Sequence, residues 1–282
     1  MGRRITAKVC VPSGGLKGKR KGPRPRGRRA ARHLFECWSR VAERLKSARR
    51  VALFLDFDGT LVPFRRRPKD VRLDSGTRRI LSRLAGSPRV RAWIISGRRY
   101  ADIRRRAKIP GVRYLGLHGW ERGDRRGFPG HARVWIEAAR QLLSAGLASF
   151  PNIWIEDKGL CLVVHYRRAP ASEVRRARPL VRAILKAFDN DLRLMDGNKI
   201  WEVLSKEVRG KGEAVRGILA GLSNSPLTFY LGDDTTDEAA FAALPRGITV
   251  RVGKPRATRA RFFLRNPKEV RQFLERLEAE IG

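Results

Sequence analysis

At 282 residues with a hydrophobic fraction of 42%, the chain has material for one large domain or two modest ones and for a real apolar core, which excludes a disordered or fibrous protein. Lys and Arg number 63 against 27 Asp and Glu, a balance that admits nucleic acid, an anionic membrane or acidic metabolites as partners without choosing among them. Cys10, Cys37 and Cys161 are too few and too irregular in spacing for a disulfide framework or a zinc site, which points to a reducing, cytoplasmic setting.

No apolar run approaches the roughly 20 residues that span a bilayer, and no apolar stretch of signal-peptide length follows the basic N-terminus. A soluble, unexported protein is expected. Residues 1–33 hold twelve Lys and Arg, no Asp or Glu, and many Gly and Pro. Such a segment lacks periodicity and cannot bury enough apolar surface to fold alone, so it reads as a basic disordered tail. Over 34–47 the spacing of Leu34, Phe35, Trp38, Val41 and Leu45 puts one apolar stripe on a helix.

The run Val51-Ala52-Leu53-Phe54-Leu55 ends in Asp56-Phe57-Asp58-Gly59-Thr60, the pattern of a buried parallel strand opening into a polar loop. Residues 90–96 and 227–233 repeat it, ending in Ser96-Gly97-Arg98 and Gly232-Asp233-Asp234, each before a plausible helix. Strand, polar loop and helix in repetition predict an α/β fold with a doubly wound, Rossmann-like parallel sheet, whose ligands sit outside the carboxyl ends of the strands. Over 121–204 the texture changes. Alternation at 153–156 and 160–167 predicts a hairpin and 172–188 a helix, so this stretch reads as an inserted smaller α/β domain between core parts 34–120 and 205–282.

The carboxylates of Asp56 and Asp58 are two residues apart at a strand end and point one way, while Phe57 points the other. Asp-Gly is also common turn chemistry. Four acids of Gly232-Asp233-Asp234-Thr235-Thr236-Asp237-Glu238 precede a helix, where capping accounts for one or two of them. Asp56, Asp58, Asp233 and Asp237 on one rim would repel one another unless a cation balanced them, and all-oxygen ligands point to Mg²⁺. The hydroxyl of Ser96 and the amides near Gly97 suit a phosphate. Lys211 begins a helical segment, a position that costs a cation roughly 0.3–1 kcal/mol unless an anion is bound there.

Taken in order, Asp56-x-Asp58-Gly59-Thr60, Ser96-Gly97-Arg98, Lys211-Gly212 and Gly232-Asp233-Asp234-x-x-Asp237-Glu238 resemble the four motifs of the haloacid-dehalogenase phosphatase superfamily. Gly116-Leu117-His118-Gly119-Trp120-Glu121, Glu156-Asp157-Lys158-Gly159, Val164-His165-Tyr166-Arg167 and Glu202-Val203 narrow the resemblance, which covers about 50–275, to trehalose-6-phosphate phosphatases. The resemblance implies Asp56 as nucleophile and Asp58 as general acid and then base. It implies Asp56 and Asp233 as metal ligands with the Asp58 backbone carbonyl, and Asp237 as nearby support. Ser96, Gly97 and Lys211 would hold the phosphoryl group, and Glu156, Lys158, Arg167 and Glu202 in the cap would read the sugar, with His118 and His165 as further candidates. Two positions depart from the family pattern: Ser205 stands for a frequent Pro, and Asn198, next to Lys199, for a frequent Lys.

The expected activity is hydrolysis of trehalose 6-phosphate, a small-molecule partner. Sucrose 6-phosphate, a mannosyl or glucosyl phosphoglycerate and a monosaccharide phosphate stay open as substrates, as does a nucleic-acid-binding protein with a vestigial core. The last conflicts with the lack of an RNA-binding or helix-turn-helix pattern and of evident exposed aromatics.

Overall fold

The computed structural model describes residues 31–64, 70–123, 130–197, 199–223, 225–254 and 256–282. Most of the expected tail, residues 1–30, lies outside them. The tail boundary at 33 is corrected by strand β1, Arg32–His33, which pairs in parallel with β12, Phe262–Leu264. A short 3-10 turn at Phe35–Cys37 then leads into α1, Trp38–Ser47, so the expected helix loses its first turn to a tighter one.

The core continues through β2 (Val51–Leu55), α2 (Ser75–Gly86), β3 (Val90–Ile95), α3 (Tyr100–Ala107), β4 (Arg113–Gly116) and β5 (Glu121–Arg122). It resumes with α6 (Lys211–Ala220), β10 (Leu227–Gly232), α7 (Glu238–Ala243), β11 (Ile248–Val252) and α8 (Pro267–Ile281). Its eight strands run in the order β1-β12-β11-β10-β2-β3-β4-β5, all parallel except β5. Residues 121 and 122 thus extend the large sheet, and the expected start of the insert at 121 falls too early.

Strand alternation sorts β2 between two apolar clusters. Val51, Leu53 and Leu55 face α1, α2 and α8 with Leu45, Leu81 and Phe273, while Ala52 and Phe54 face α6 and α7 with Val215 and Phe241. Helices on both faces and an all-buried β2 are the doubly wound arrangement. Each buried Leu or Phe here contributes about 1.5–3 kcal/mol. Helix starts are fixed locally: the Asp74 side chain accepts from Thr77 N at α2, and Asn266 accepts from Lys268 N and Glu269 N at α8, with Pro267 in the first turn.

Between the core parts lie α4 (Gly130–Gly146), β6 (Trp154–Asp157), β7 (Cys161–His165), α5 (Ala171–Lys186), β8 (Leu192–Gly197) and β9 (Ile200–Ser205). The strands form an antiparallel sheet in the order β6-β7-β9-β8. One face packs on α4 and α5 through Leu143, Val164, Val181 and Trp201. The other face looks back at the carboxyl ends of the core strands. The expected hairpin and helix are present, whereas α4, β8 and β9 add to that expectation. Among the described residues no helix is long and apolar enough to cross a membrane.

Candidate active site

The end of β2 carries Asp56 to the floor of a cleft of about 1160 Å³ between the two sheets. Lys211, the first residue of α6, places Nζ 2.7 Å from Asp56 Oδ1 and 2.7 Å from Asp237 Oδ1. Tyr230 of β10 donates its hydroxyl to the same Asp237 oxygen at 2.7 Å, and Asp234 N donates to Oδ2 at 3.0 Å. Burial disfavours the Lys211 cation, yet Asp237 and Asp56 outweigh it and hold the ammonium well above its ordinary pKa. The ordinary cost of a cation at a helix start is offset by these two carboxylates. Burial, assisted by Asp237 and Asp58, pushes the Asp56 carboxyl up to about 7 despite Lys211.

Asp233 follows β10 and brings one carboxylate oxygen within 4.8 Å of oxygens of Asp56 and Asp237. Its Oδ1 is buried with no hydrogen-bond partner among the described residues, and burial with the Asp56 and Asp237 charges pushes its pKa to about 10. A Cβ on Gly59, whose φ is +88°, would stand 2.3 Å from Asp233 Oδ2, so only glycine lets the Asp56 loop pass this close. Crowded carboxylates, an orphaned oxygen and raised pKa values all fit a hard divalent cation. Asp237 offers less to it than Asp56 or Asp233, because both of its oxygens already accept from the protein. Capping accounts for more of the acidic motif than one residue: Asp234 and Asp237 form a capping box, and Glu238 accepts from Thr258 and Arg259 N.

Asp58 departs from expectation. Its side chain does not join the carboxylate cluster. Both its oxygens accept from Arg98, at 2.6 Å and 2.7 Å, and Arg98 also reaches Asp102 at 2.9 Å. A bidentate, charge-assisted fork of this kind is roughly twice as strong as a neutral hydrogen bond. It turns the Asp58 side chain toward Arg98 and Asp102 of α3. Ser96 follows β3, is buried, and accepts from Arg98 N through its hydroxyl at 3.1 Å. Gly97 is tightly enclosed, since a Cβ there would meet His118 Cε1 at 2.9 Å.

The cleft-facing side of the cap supplies the remaining expected residues. Lys158 Nζ lies 3.4 Å from Gly97 O, and His165 Nε2 lies 2.9 Å from Glu156 Oε2. Glu202 on β9 and His118, a left-handed residue with φ 57°, are both buried and 3.1 Å apart. Neither ring nitrogen of His118 makes an aligned hydrogen bond among the described residues. Burial raises the Glu202 pKa, but His118, Lys158 and Lys211 overcome it and hold the carboxyl near about 2. The Arg167 guanidinium sits 5.9 Å from the Phe64 ring centroid, joining cap to core. Every expected site residue lines the one cleft except Asp237, which lies directly behind Asp56 and Lys211.

Ser205 donates its N–H to Leu160 O at 3.3 Å, a bond that the family's frequent proline could not make. Asn198 lies outside the described residues, and Lys199, its expected substitute, is exposed at the β8–β9 turn, away from the cleft lining. Sequence reading missed Arg98 as the partner of Asp58, Tyr230 behind Asp237, and Trp154, which lines the cleft and is 49% exposed. Trp154 had a usable signal: it stands two residues before Glu156 on a strand and so shares its face.

A parallel sheet with a buried aspartate at its carboxyl edge, a lysine on that aspartate and an inserted sheet over both defines the haloacid-dehalogenase fold with a cap. The C-terminal domain of the trehalose-6-phosphate phosphatase of C. albicans superposes with a TM-score of 0.77 at 25% identity, covering 90% of this chain and 99% of that one. The trehalose-phosphatase family model matches residues 54–267. A trehalose-phosphate phosphatase of Mycobacterium ulcerans is 34% identical over 249 residues, 83% of this chain and 63% of that protein. A probable trehalose-phosphate phosphatase I of Arabidopsis thaliana is 32% identical over 253 residues, 81% of this chain and 68% of that protein. The chain belongs to the trehalose-phosphatase family. It spans less than two thirds of the length of the mycobacterial relative.

Proposed function

We propose that the protein hydrolyses trehalose 6-phosphate to trehalose and phosphate through an aspartyl phosphate on Asp56. The observation that carries this reading is the buried Asp56–Lys211–Asp237 network beneath a cap face bearing Glu156, Lys158 and Glu202. Lys211 engages Asp56 Oδ1, fixing the carboxylate so that its other oxygen meets phosphorus. Lys211, Ser96 and the amides near Gly97 then receive the phosphoryl oxygens at the end of β3. Once released from Arg98, Asp58 takes up a proton from solvent and gives it to the departing sugar oxygen, and afterwards takes a proton from the water that cleaves the acyl phosphate.

Mg²⁺ is the cation we propose for Asp56, Asp233 and the Asp58 carbonyl; when bound it offsets negative charge on the transferring group. The same reading divides the labour between a core that performs chemistry and a cap, expected over 121–204, that reads hydroxyl groups. Glu156, Lys158, Glu202 and Arg167 offer charged partners to sugar hydroxyls, and His118 and His165 brace Glu202 and Glu156. A cytoplasmic site of action and the absence of a specific nucleic-acid partner belong to this proposal.

The test is phosphate release from a panel of sugar phosphates with Mg²⁺ and with EDTA, with Asp56→Asn as control. Metal-dependent release greatest on trehalose 6-phosphate is the expected result. Greatest release from sucrose 6-phosphate or a glycosyl phosphoglycerate would reassign the cap, and full activity of Asp56→Asn would remove Asp56 from the reaction.

A further inference from the structure

Trp154 leaves a large apolar surface in water inside a polar cleft, where folding gains nothing from it. Strand alternation explains its direction: Ile155 packs into the cap core, while Trp154 and Glu156 face the cleft. Cross-strand pairing sets Trp154 opposite His165. The two rings stack with centroids 3.8 Å apart and 8° between their planes, and His165 is held at its edge by Glu156 at 2.9 Å. One face of the indole is therefore occupied and its orientation is set before any ligand arrives, a preorganisation that lowers the cost of binding.

The position of this platform assigns its ligand. β6 is the edge strand of the cap sheet, about 10 Å, two strand spacings, from β9. On β9, Glu202 meets His118 above the buried floor. The phosphate of a substrate is committed to that floor, so the portion reaching the half-exposed Trp154 is the end remote from phosphorus. A pyranose presents one face of C–H bonds that packs against an aromatic ring while its hydroxyls bond neighbouring charged groups, here Glu156 and Lys158. We infer that Trp154, braced by His165, is the stacking platform for the second, unphosphorylated sugar ring and sets a preference for disaccharide over monosaccharide phosphates. This rests on the sugar phosphatase reading above.

The experiment compares kcat/KM of the wild type, Trp154→Ala and Trp154→Phe on trehalose 6-phosphate, glucose 6-phosphate and acetyl phosphate, which carries no ring. In Trp154→Ala the disaccharide-to-acetyl phosphate ratio should fall roughly tenfold, with Trp154→Phe recovering most of it and the glucose 6-phosphate ratio moving less. An unchanged ratio in Trp154→Ala, or all three substrates falling together, overturns the inference. A wild type that prefers another disaccharide phosphate replaces the substrate proposed above, and the platform is then judged by the same ratio on that substrate. A wild type that hydrolyses glucose 6-phosphate as well as any disaccharide phosphate overturns the platform and leaves the phosphatase chemistry standing.

Discussion

The floor of the cleft and the cap face above it are built on opposite terms. Asp56, Lys211 and Asp237 are each at most 5% exposed, their charges joined through bonds of 2.7 Å. The Glu156 side chain is 39% exposed and Trp154 49%, and both take His165 as their partner. Charges at the floor act in a low dielectric, where each is strong and an unpaired one is costly. Charges on the cap are softened by water and discriminate by geometry. Changes at the floor should therefore stop chemistry on every substrate, whereas changes on the cap should alter which substrate is used.

The severest break is Asp56→Asn, which removes the nucleophile. Turnover on sugar and acetyl phosphates alike should fall by about a thousandfold or more. Relief of repulsion with Asp233 and Asp237 opposes the weakened bond to Lys211, so Tm measured with EDTA should change little. Equal loss on all substrates, read by phosphate release, is the signature of the floor. Lys211→Met comes next. It leaves Asp56 and Asp237 facing one another, and an uncompensated buried charge costs about 3–5 kcal/mol. Urea unfolding should record that loss with EDTA and a smaller one with Mg²⁺, while activity falls about a hundredfold or more on every substrate.

Glu156→Ala sharpens the contrast from the cap side. It removes a charged hydrogen-bonding group, worth about 1.5–3 kcal/mol when its partner is a sugar hydroxyl. The ratio of kcat/KM on trehalose 6-phosphate to that on acetyl phosphate should drop roughly tenfold to a hundredfold. A matching drop on acetyl phosphate would place Glu156 with the floor and dissolve the division.

The same contrast explains what the sequence could disclose. Each floor residue ends an uninterrupted apolar run or opens a helix, and a buried parallel strand announces itself in one dimension. Asp56, Ser96 and Asp233 were legible for that reason. The Asp58–Arg98 pair was not: it joins residues 40 apart in a chain with 63 basic residues, so no local pattern singles out the partner. The cap was legible only in outline. Its strands β6 and β8 are half-exposed, β8 mixes Arg193 and Asp196 with Leu192, Leu194 and Met195, and α4 follows a Gly- and Arg-rich stretch without a start signal. Trp154 was overlooked because an aromatic beside Ile153 and Ile155 reads as core until the pairing with His165 shows which face it takes.

The mildest prediction concerns Glu202, which belongs to both regions: a cap residue buried as deeply as the floor. His118, Lys158 and Lys211 hold its folded pKa near about 2, below the unfolded value of about 4.3. A carboxyl depressed in this way stabilises the folded state at any pH above its unfolded pKa. The contribution disappears as pH falls from about 4.5 toward 2, because the folded protein must then take up a proton at a site arranged for the anion. Glu202→Gln has no such proton to take up. Its Tm at pH 7 should lie a few degrees below that of the wild type, and the two should converge as pH is lowered through that window. Parallel Tm curves from pH 7 to 3 would mean that the His118–Glu202 contact contributes shape but no charge, and that this part of the cap is held to the core by packing around Leu117, Val163 and Leu204.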